Sequence, residues 1–320
     1  MPLVPCSLCG EEGRFKELWL LQDRLWPSDS RFVLGRCTDC GLVYLNPRLP
    51  QHDLEQYYPP QYYSQPYKEH APSFYRRYSL IDRYKKGGRI LDVGCSNGAF
   101  LTFMETRGWD VYGLDNSRGA IEIAAQHHGN RVTCAVLPEA DYPSDYFDVV
   151  SLFEVFEHIS EPSAYLEEIY RILKSGGVLC LSVPNFSCWE RKLFGRWWIG
   201  LDAPRHLYQY TPATLRRMIE RAGLNPVVIR SLNAHRIQNR RSRIDYCRNS
   251  LRFFLGDMGL YPKRTQEIQD IGQTQENMDT RGRALMKLFI HLAEGAVFYP
   301  FWFFSRITDR DNTIWVIAGK

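Results

Sequence analysis

The chain reads as an α/β protein, a doubly wound and mostly parallel sheet with a small cysteine-rich module in front of it. After Gly87 and Gly88 short apolar runs alternate with glycine turns and helix-period segments, the rhythm of a parallel sheet with helices on both faces. The first run, "RILDVG", has the continuous apolar character of a strand buried on both sides. Ahead of this region four of the nine cysteines fall in two CxxC pairs.

With 320 residues there is room for one large domain plus a small one, or for two ordinary domains. A hydrophobic content of 44% and a charged content of 24% are those of a soluble globular protein, and a net charge of +4 is too modest to define a partner. The start "MPLVPCSLCG" lacks a basic segment followed by an apolar run, so the expected location is cytoplasmic. In a reducing compartment the paired cysteines argue for metal rather than disulfides.

Cys6 and Cys9 in "CSLCG" and Cys37 and Cys40 in "CTDCG" are separated by 27 residues. Each pair sets two thiolates on one tight turn, and four sulfurs complete a tetrahedral shell for a structural zinc with no open position for chemistry. "RFVLGRC" and "GLVYLNP" read as strands on either side of the second pair, which predicts a zinc ribbon over residues 1–48. Such a module binds nucleic acid or protein, or covers a neighbouring site, and the residues do not choose among these. Residues 49–86, with "YYPPQYYSQPY", are expected to be an extended connector strapped over the next domain by its aromatic rings.

Residues 87–232 form the predicted core. "RILDVG" is its first strand, and "CSNGAFLTFMETRG" turns on glycine into a helix beginning near Asn97. "DVYGLDNS" is the second strand and ends in an acid, and "RVTCAVL" and "FDVVSLF" are the third and fourth. "PSAYLEEIYRILKSGG" is a helix with a glycine stop, and "VLCLSVPN" is the fifth strand. In "DVGCSNG" Gly94 and Gly98 let backbone approach a ligand, and the amides of the following helix face anything anionic. Asp92 precedes Gly94 and no third glycine closes a dinucleotide fingerprint. Asp115, at the end of the second strand, is placed to accept two ribose hydroxyls.

In this order "ILDVGCSNGAF", "GLDNS", "FDVVSLFEVFEHI", "LEEIYRILKSGGVLCLSVPN" and "TPATLRRMIERAGL" resemble the class I S-adenosylmethionine (SAM)-dependent methyltransferases, in particular the group of the ubiquinone-pathway O-methyltransferases. The resemblance covers roughly Gly87 to Arg230. It implies a Rossmann-like seven-stranded sheet whose last strand is antiparallel; "LNPVVIRSL" fits the sixth strand and "NTIWVIAGK", within 310–320, the seventh. It also implies SAM as cofactor. Gly94, Cys95, Ser96 and Gly98 are the implied contacts to its methionine end, with Asp92 just before them, and Asp115 holds the ribose with Asn116 beside it. Where the family often carries an acid after the third strand this chain has "CAVLPE", so Val136 and Leu137 are expected to meet the adenine.

Residues 233–309 are not needed by that sheet. Arg230 to Arg264 hold nine Lys or Arg against two acids, and "LMKLFIHLAEGAVFYPFWFFSRI" follows. His291, Glu294 and Pro300 make this a poor membrane span. A basic stretch followed by an apolar, aromatic one suits either an interfacial helix on an anionic membrane or a cap packed on the sheet.

Methyl transfer from a sulfonium is an in-line displacement, and a hydroxyl acceptor must lose its proton. Candidate groups should follow the fourth and fifth strands. One set is Glu154, Glu157 and His158 in "LFEVFEHI", which share a face if the chain turns helical there; Glu154 is expected beside the cofactor. "EVFEH" matches the Glu-x-x-Glu-His run of ubiquinone-pathway and small-RNA 2'-O-methyltransferases, which implies a magnesium-type site. The other is His206 in "DAPRHLYQYTP", with Arg205 able to hold an anion on the acceptor and a helix starting at Thr211 and Pro212. Glu157, His158 and His206 are thus the expected catalytic groups. No Asn-Pro-Pro-Tyr type tetrad follows the fourth strand, which points away from amino-group methylation. The expected activity is O-methylation of a small-molecule, glycan or lipid-linked acceptor. An RNA methyltransferase docking through its ribbon and a non-catalytic scaffold are the alternatives, and nucleic acid is the less favoured partner.

Overall fold

The computed structural model describes residues 1–26, 29–58, 72–231, 240–258 and 311–320. The N-terminal module contributes β1 (Phe15–Gln22), β2 (Arg31–Cys37) and β3 (Val43–Leu45), an antiparallel meander. A strand from much later in the chain, β9 (Tyr208–Gln209), pairs with β3 and completes a four-stranded sheet. The two cysteine turns sit at one end of this sheet. Gly10 and Gly41 follow them with φ of +76° and +79°, a conformation that glycine adopts without a Cβ penalty.

After α1 (Gln51–Leu54) the connector departs from the extended chain expected of it, because α2 (Pro72–Asp82) is a regular helix. The reason is local. Pro72 stands where its missing N–H costs nothing, and from Ser73 to Asp82 there is neither proline nor glycine. Phe74, Tyr78 and Ile81 recur at helical spacing; Phe74 packs its ring 5.4 Å from Phe100 and Ile81 is fully buried. The Tyr/Pro-dense stretch 59–71 lies outside the described residues.

The core sheet has the order β10-β11-β8-β7-β4-β5-β6. Its strands are β4 (Gly88–Val93), β5 (Trp109–Asp115), β6 (Val132–Cys134), β7 (Phe147–Phe153), β8 (Leu173–Pro184), β10 (Asn225–Ser231) and β11 (Thr313–Gly319). β4 pairs in parallel with both β5 and β7, β8 runs parallel to β7, and β11 is antiparallel to β8 and β10. The seven-stranded, mostly parallel architecture read from the sequence is the one observed. In β8, Leu179, Cys180, Leu181 and Val183 are all fully buried, and each large side chain buried this way is worth about 1.5–3 kcal/mol.

The helices are α3 (Ala99–Glu105), α4 (Arg118–His128), α5 (Pro162–Ile172), α6 (Trp189–Phe194), α7 (Pro212–Arg221) and α8 (Arg240–Asp257). Two boundaries differ from expectation. α5 stops at Ile172, before its glycines, because Leu173 pairs with Phe147 ahead of a bulge in β8. The third strand is only three residues long, since Pro138 opens a 3₁₀ turn at Leu137–Glu139. α8 docks on the segment after α6, with the Phe254 ring 5.0 Å from Trp197. The apolar run 285–307 lies outside the described residues, and among those described no helix is long and apolar enough to cross a membrane.

α7 ties the two sheets together. Its cap is a reciprocal box in which Thr214 N donates to Thr211 Oγ1 at 3.2 Å and Thr211 N to Thr214 Oγ1 at 3.0 Å. From this helix Arg217 and Arg221 donate to the carbonyls of Cys40 and Leu8, beside the cysteine turns. Thr211→Ala should cost about 1 kcal/mol, measurable as a lower urea midpoint with an unchanged slope.

Candidate active site

The carboxyl ends of β4, β5 and β7 meet where the strand order reverses, the usual place for a ligand crevice in such sheets. A cleft of about 820 Å³ opens there. Its floor is the loop after β4, with Gly94, Ser96 and Gly98 at φ of +78°, +51° and +78°. A Cβ on Gly94 would stand 2.3 Å from Val155 Cγ2, so only glycine fits beneath the wall formed after β7. The amides of Gly94 and Cys95 both donate to Leu114 O, at 2.6 and 3.0 Å. Asp115 accepts from the amides of Ser96 and Ser117, each at 2.9 Å. One strand end thus holds two loops in register.

Asp92, Gly94, Cys95, Ser96, Asp115, Asn116, Val136, Glu154 and His158 line the cleft. Gly98 and Leu137 do not: Gly98 packs against His128 and Ala124, and Leu137 is fully buried. Three further lining residues went unrecognised in the sequence. Glu139 stands two residues past Leu137 and supplies an acid after the third strand. Tyr58 comes from the connector, and Arg77 from α2 stacks its guanidinium 4.7 Å over the Phe153 ring. An Arg at helical spacing among aromatic residues was the available signal, hidden by reading the segment as extended.

Glu154, Glu157 and His158 do not share one helical face. Glu154 is left-handed, with φ of +59°, and only Phe156–His158 makes a short 3₁₀ turn. The backbone amide of Glu154 bonds Ser182 O at 2.9 Å and its carboxylate accepts from Ser182 Oγ at 2.8 Å, which turns it to the cleft. Glu157 turns inward instead and is 1% exposed. Neither of its carboxylate oxygens has a hydrogen-bond partner among the described residues. Burial, and then the charge of Glu154, hold its carboxyl well above the ordinary range.

His206 joins Glu157 and His158 from the other side, although it does not line the cleft itself. Its Nδ1 is 2.8 Å from Gly200 O and its Nε2 3.9 Å from Glu157 Oε1. His158 Nδ1 lies 3.0 Å from Arg205 O and 2.9 Å from the Tyr58 hydroxyl. A carbonyl only accepts, so both imidazoles carry their proton on Nδ1 and turn the Nε2 lone pair outward. Their rings meet edge to face at 4.7 Å. Burial above all pushes His158 down to about 3, so the ring is neutral. Arg205 is unable to serve an acceptor anion as expected: it is fully buried, and its guanidinium is spent on Asp23, Asp202 and Tyr57 O.

The model of a methyltransferase domain matches residues 56–229, the stretch that builds this cleft. The chain belongs to that methyltransferase family. Among its curated relatives is the ubiquinone biosynthesis O-methyltransferase of Ruegeria sp. (strain TM1040), 34% identical over 155 residues that cover 44% of this chain and 62% of the relative. The protein of the same description from Thiobacillus denitrificans is 32% identical over 150 residues, 43% of this chain and 65% of its own. The chain therefore spans less than two thirds of the length of these relatives. A SAM-dependent methyltransferase from Archaeoglobus fulgidus is a structural neighbour with a TM-score of 0.47 and 17% identity, over 77% of this chain and 92% of its own.

In this member of the family the cleft carries an electrostatic cost. Asp92 is 3% exposed and accepts from Ser151 Oγ at 2.6 Å. Burial pushes its carboxyl up to about 6, against the opposing pull of Arg77. A carboxyl raised in the folded state binds its proton more tightly there than in the unfolded chain. Its stability cost is therefore absent below about pH 4, grows as pH rises and is complete above about pH 6. At neutral pH Asp92→Asn should stabilise the ligand-free protein by up to about 3 kcal/mol, and near pH 4 it should do nothing, as thermal unfolding at the two pH values will register.

Proposed function

We propose that the protein is a SAM-dependent O-methyltransferase acting on a small-molecule acceptor. The observation that carries this is the continuity of one cleft from the Gly94–Asn97 loop and Asp115 at one end to His158, backed by Glu157 and His206, at the other. The residues fit the cofactor: a glycine loop that brings backbone to the floor of the cleft, a strand-end acid for paired hydroxyls, Val136 and Glu139 for a flat heterocycle, and Arg77 as a cation for the methionine carboxylate. SAM held there supplies an electrophilic methyl group on a sulfonium. Ser96 and Asp115 fix the two loops, Glu154 borders the cofactor, and His158 and Tyr58 face the acceptor hydroxyl. Glycan or lipid-linked hydroxyls are the finer reading of the acceptor, supported by the basic and then apolar sequence of residues 233–309, which also suits peripheral membrane contact.

The four cysteines fit zinc. Cys6 and Cys40 sulfurs lie 3.4 Å apart and Cys9 and Cys37 sulfurs 3.6 Å, near the edge of about 3.8 Å that a tetrahedron of 2.3 Å bonds requires. Glu157, His158 and His206 fit a second cation. They bring one ring nitrogen from each imidazole and an unpartnered carboxylate within 4.8 Å of one another, and both Nδ1 atoms are anchored on carbonyls, as metal-bound histidines are. Two imidazoles and one carboxylate suit a transition ion better than magnesium. Such an ion would polarise an acceptor hydroxyl.

Three measurements test this reading. Asp115→Ala should weaken SAM binding at least tenfold in calorimetry, whereas Glu157→Gln should leave it within twofold; absence of SAM binding to the folded, zinc-loaded parent would sink the proposal. Metal analysis should find a cation besides the cysteine-bound zinc, and His206→Ala should lose that one alone. Labelled methyl incorporation in lysate divided into lipid, glycan and RNA fractions identifies the acceptor class.

A further inference from the structure

We propose that the buried Asp23–Arg205 ion pair makes the cysteine module a positioning element of the acceptor site, with the module's hairpin setting the orientation of His158. This rests on the reading of the cleft as a methyltransferase site. Asp23 follows β1 in the N-terminal module, and Arg205 lies in the loop before β9, 182 residues later. Both side chains are fully excluded from solvent and meet as a fork, with two N–H···O contacts of 2.8 Å. The Asp23 carboxylate is itself fixed, because Oδ1 accepts from the amides of Leu25 and Trp26 at 2.9 and 3.0 Å.

Arg205 uses its other contacts to join two more segments. Nε bonds both oxygens of Asp202 at 3.1 Å, Nη2 adds a 2.7 Å contact to Asp202 Oδ1, and Nη1 donates to Tyr57 O at 3.1 Å. The guanidinium thus braces the module, the connector and the acceptor loop at one point. The main chain of the same residue accepts the His158 Nδ1 proton, and Tyr58, next to the braced carbonyl, meets the same nitrogen. His206 is the next residue along the loop. The brace therefore acts through His158 and His206 and touches no cleft ligand, since Asp23 and Arg205 do not line the cleft.

A buried ion pair is weak evidence of stabilisation, because desolvating two charges offsets most of their attraction. What the fork supplies is geometry: a planar, bidentate contact fixes direction as well as distance. An apolar pair of similar volume would fill the space and leave the Arg205 carbonyl free to turn.

Ring-nitrogen NMR of full-length, zinc-loaded protein labelled with ¹⁵N-histidine tests the proposal without an acceptor. In the parent, His158 should appear as a single species protonated on Nδ1. In Asp23→Asn, and in the double variant Asp23→Leu with Arg205→Met, which removes both members of the pair, a second tautomer or a shifted Nδ1 signal should appear at His158. SAM affinity should stay within twofold of the parent and the cysteine-bound zinc should be retained. Parental His158 signals in either folded variant would overturn the proposal. So would failure of both variants to fold, which would make the pair a folding element only. If the parent itself binds no SAM, the methyltransferase reading falls while the His158 signals still report on the brace.

Discussion

Asp92, Asp115 and Glu154 take their places in the cleft from one register, the parallel pairing of β4 with β5 on one side and β7 on the other. Parallel strands present their carboxyl ends at the same edge, so Asp92, Asp115 and Glu154 arrive together although the chain takes more than sixty residues to supply them. A slip of one residue in β4 would send Asp92 to the opposite face. The shared carbonyl of Leu114, which takes two amides from the glycine loop, locks that register at the point where the ligand would sit.

The second dependence is on an element outside the sheet. The cysteine module is not an appendage, because β9 comes from the core chain, Arg48 donates to Ser160 O at 2.8 Å and α7 reaches both cysteine turns. Its interior merges with that of the core: Leu34, Leu42 and Tyr208 share one continuous apolar cluster with Leu181 and Val316. Buried Arg205 is paired with Asp23 across this junction as well as with Asp202 in its own loop, and buried Arg48 reaches across it to Glu161.

Much of this was legible in the sequence, for a physical reason. Gly94, Asp115 and the strands around them are specified locally, by apolar runs and by positions where only glycine or an acid serves. The four cysteines carried their own spacing. Groups whose meaning depends on long-range packing were not legible in the same way. Glu157 reads like Glu154 in one dimension, yet one is sealed in the interior and the other faces the cleft, because a left-handed residue and a 3₁₀ turn replace the helix that periodicity suggested. Arg205 looked available beside His206 until Asp23, far upstream, claimed its guanidinium. Arg77 stayed hidden behind the prolines that precede its helix.

The placement of β11 has a bearing on how the protein is made. It lies between β8 and β10, yet it is the last of the seven strands to be synthesised, after residues 232–312 have separated it from β10. Until it arrives, β10 and β8 each lack, among the described strands, the neighbour that β11 becomes, and an unpaired rim is the kind of edge that recruits other chains. The nascent protein therefore passes through a stage in which its glycine loop is already supported by β4, β5 and β7 while the opposite half of the sheet lacks its last strand. Closure by a strand so distant in sequence is slow in proteins generally. An unpaired rim of that kind is where partly folded chains associate, so aggregation is expected to be favoured in that interval of synthesis.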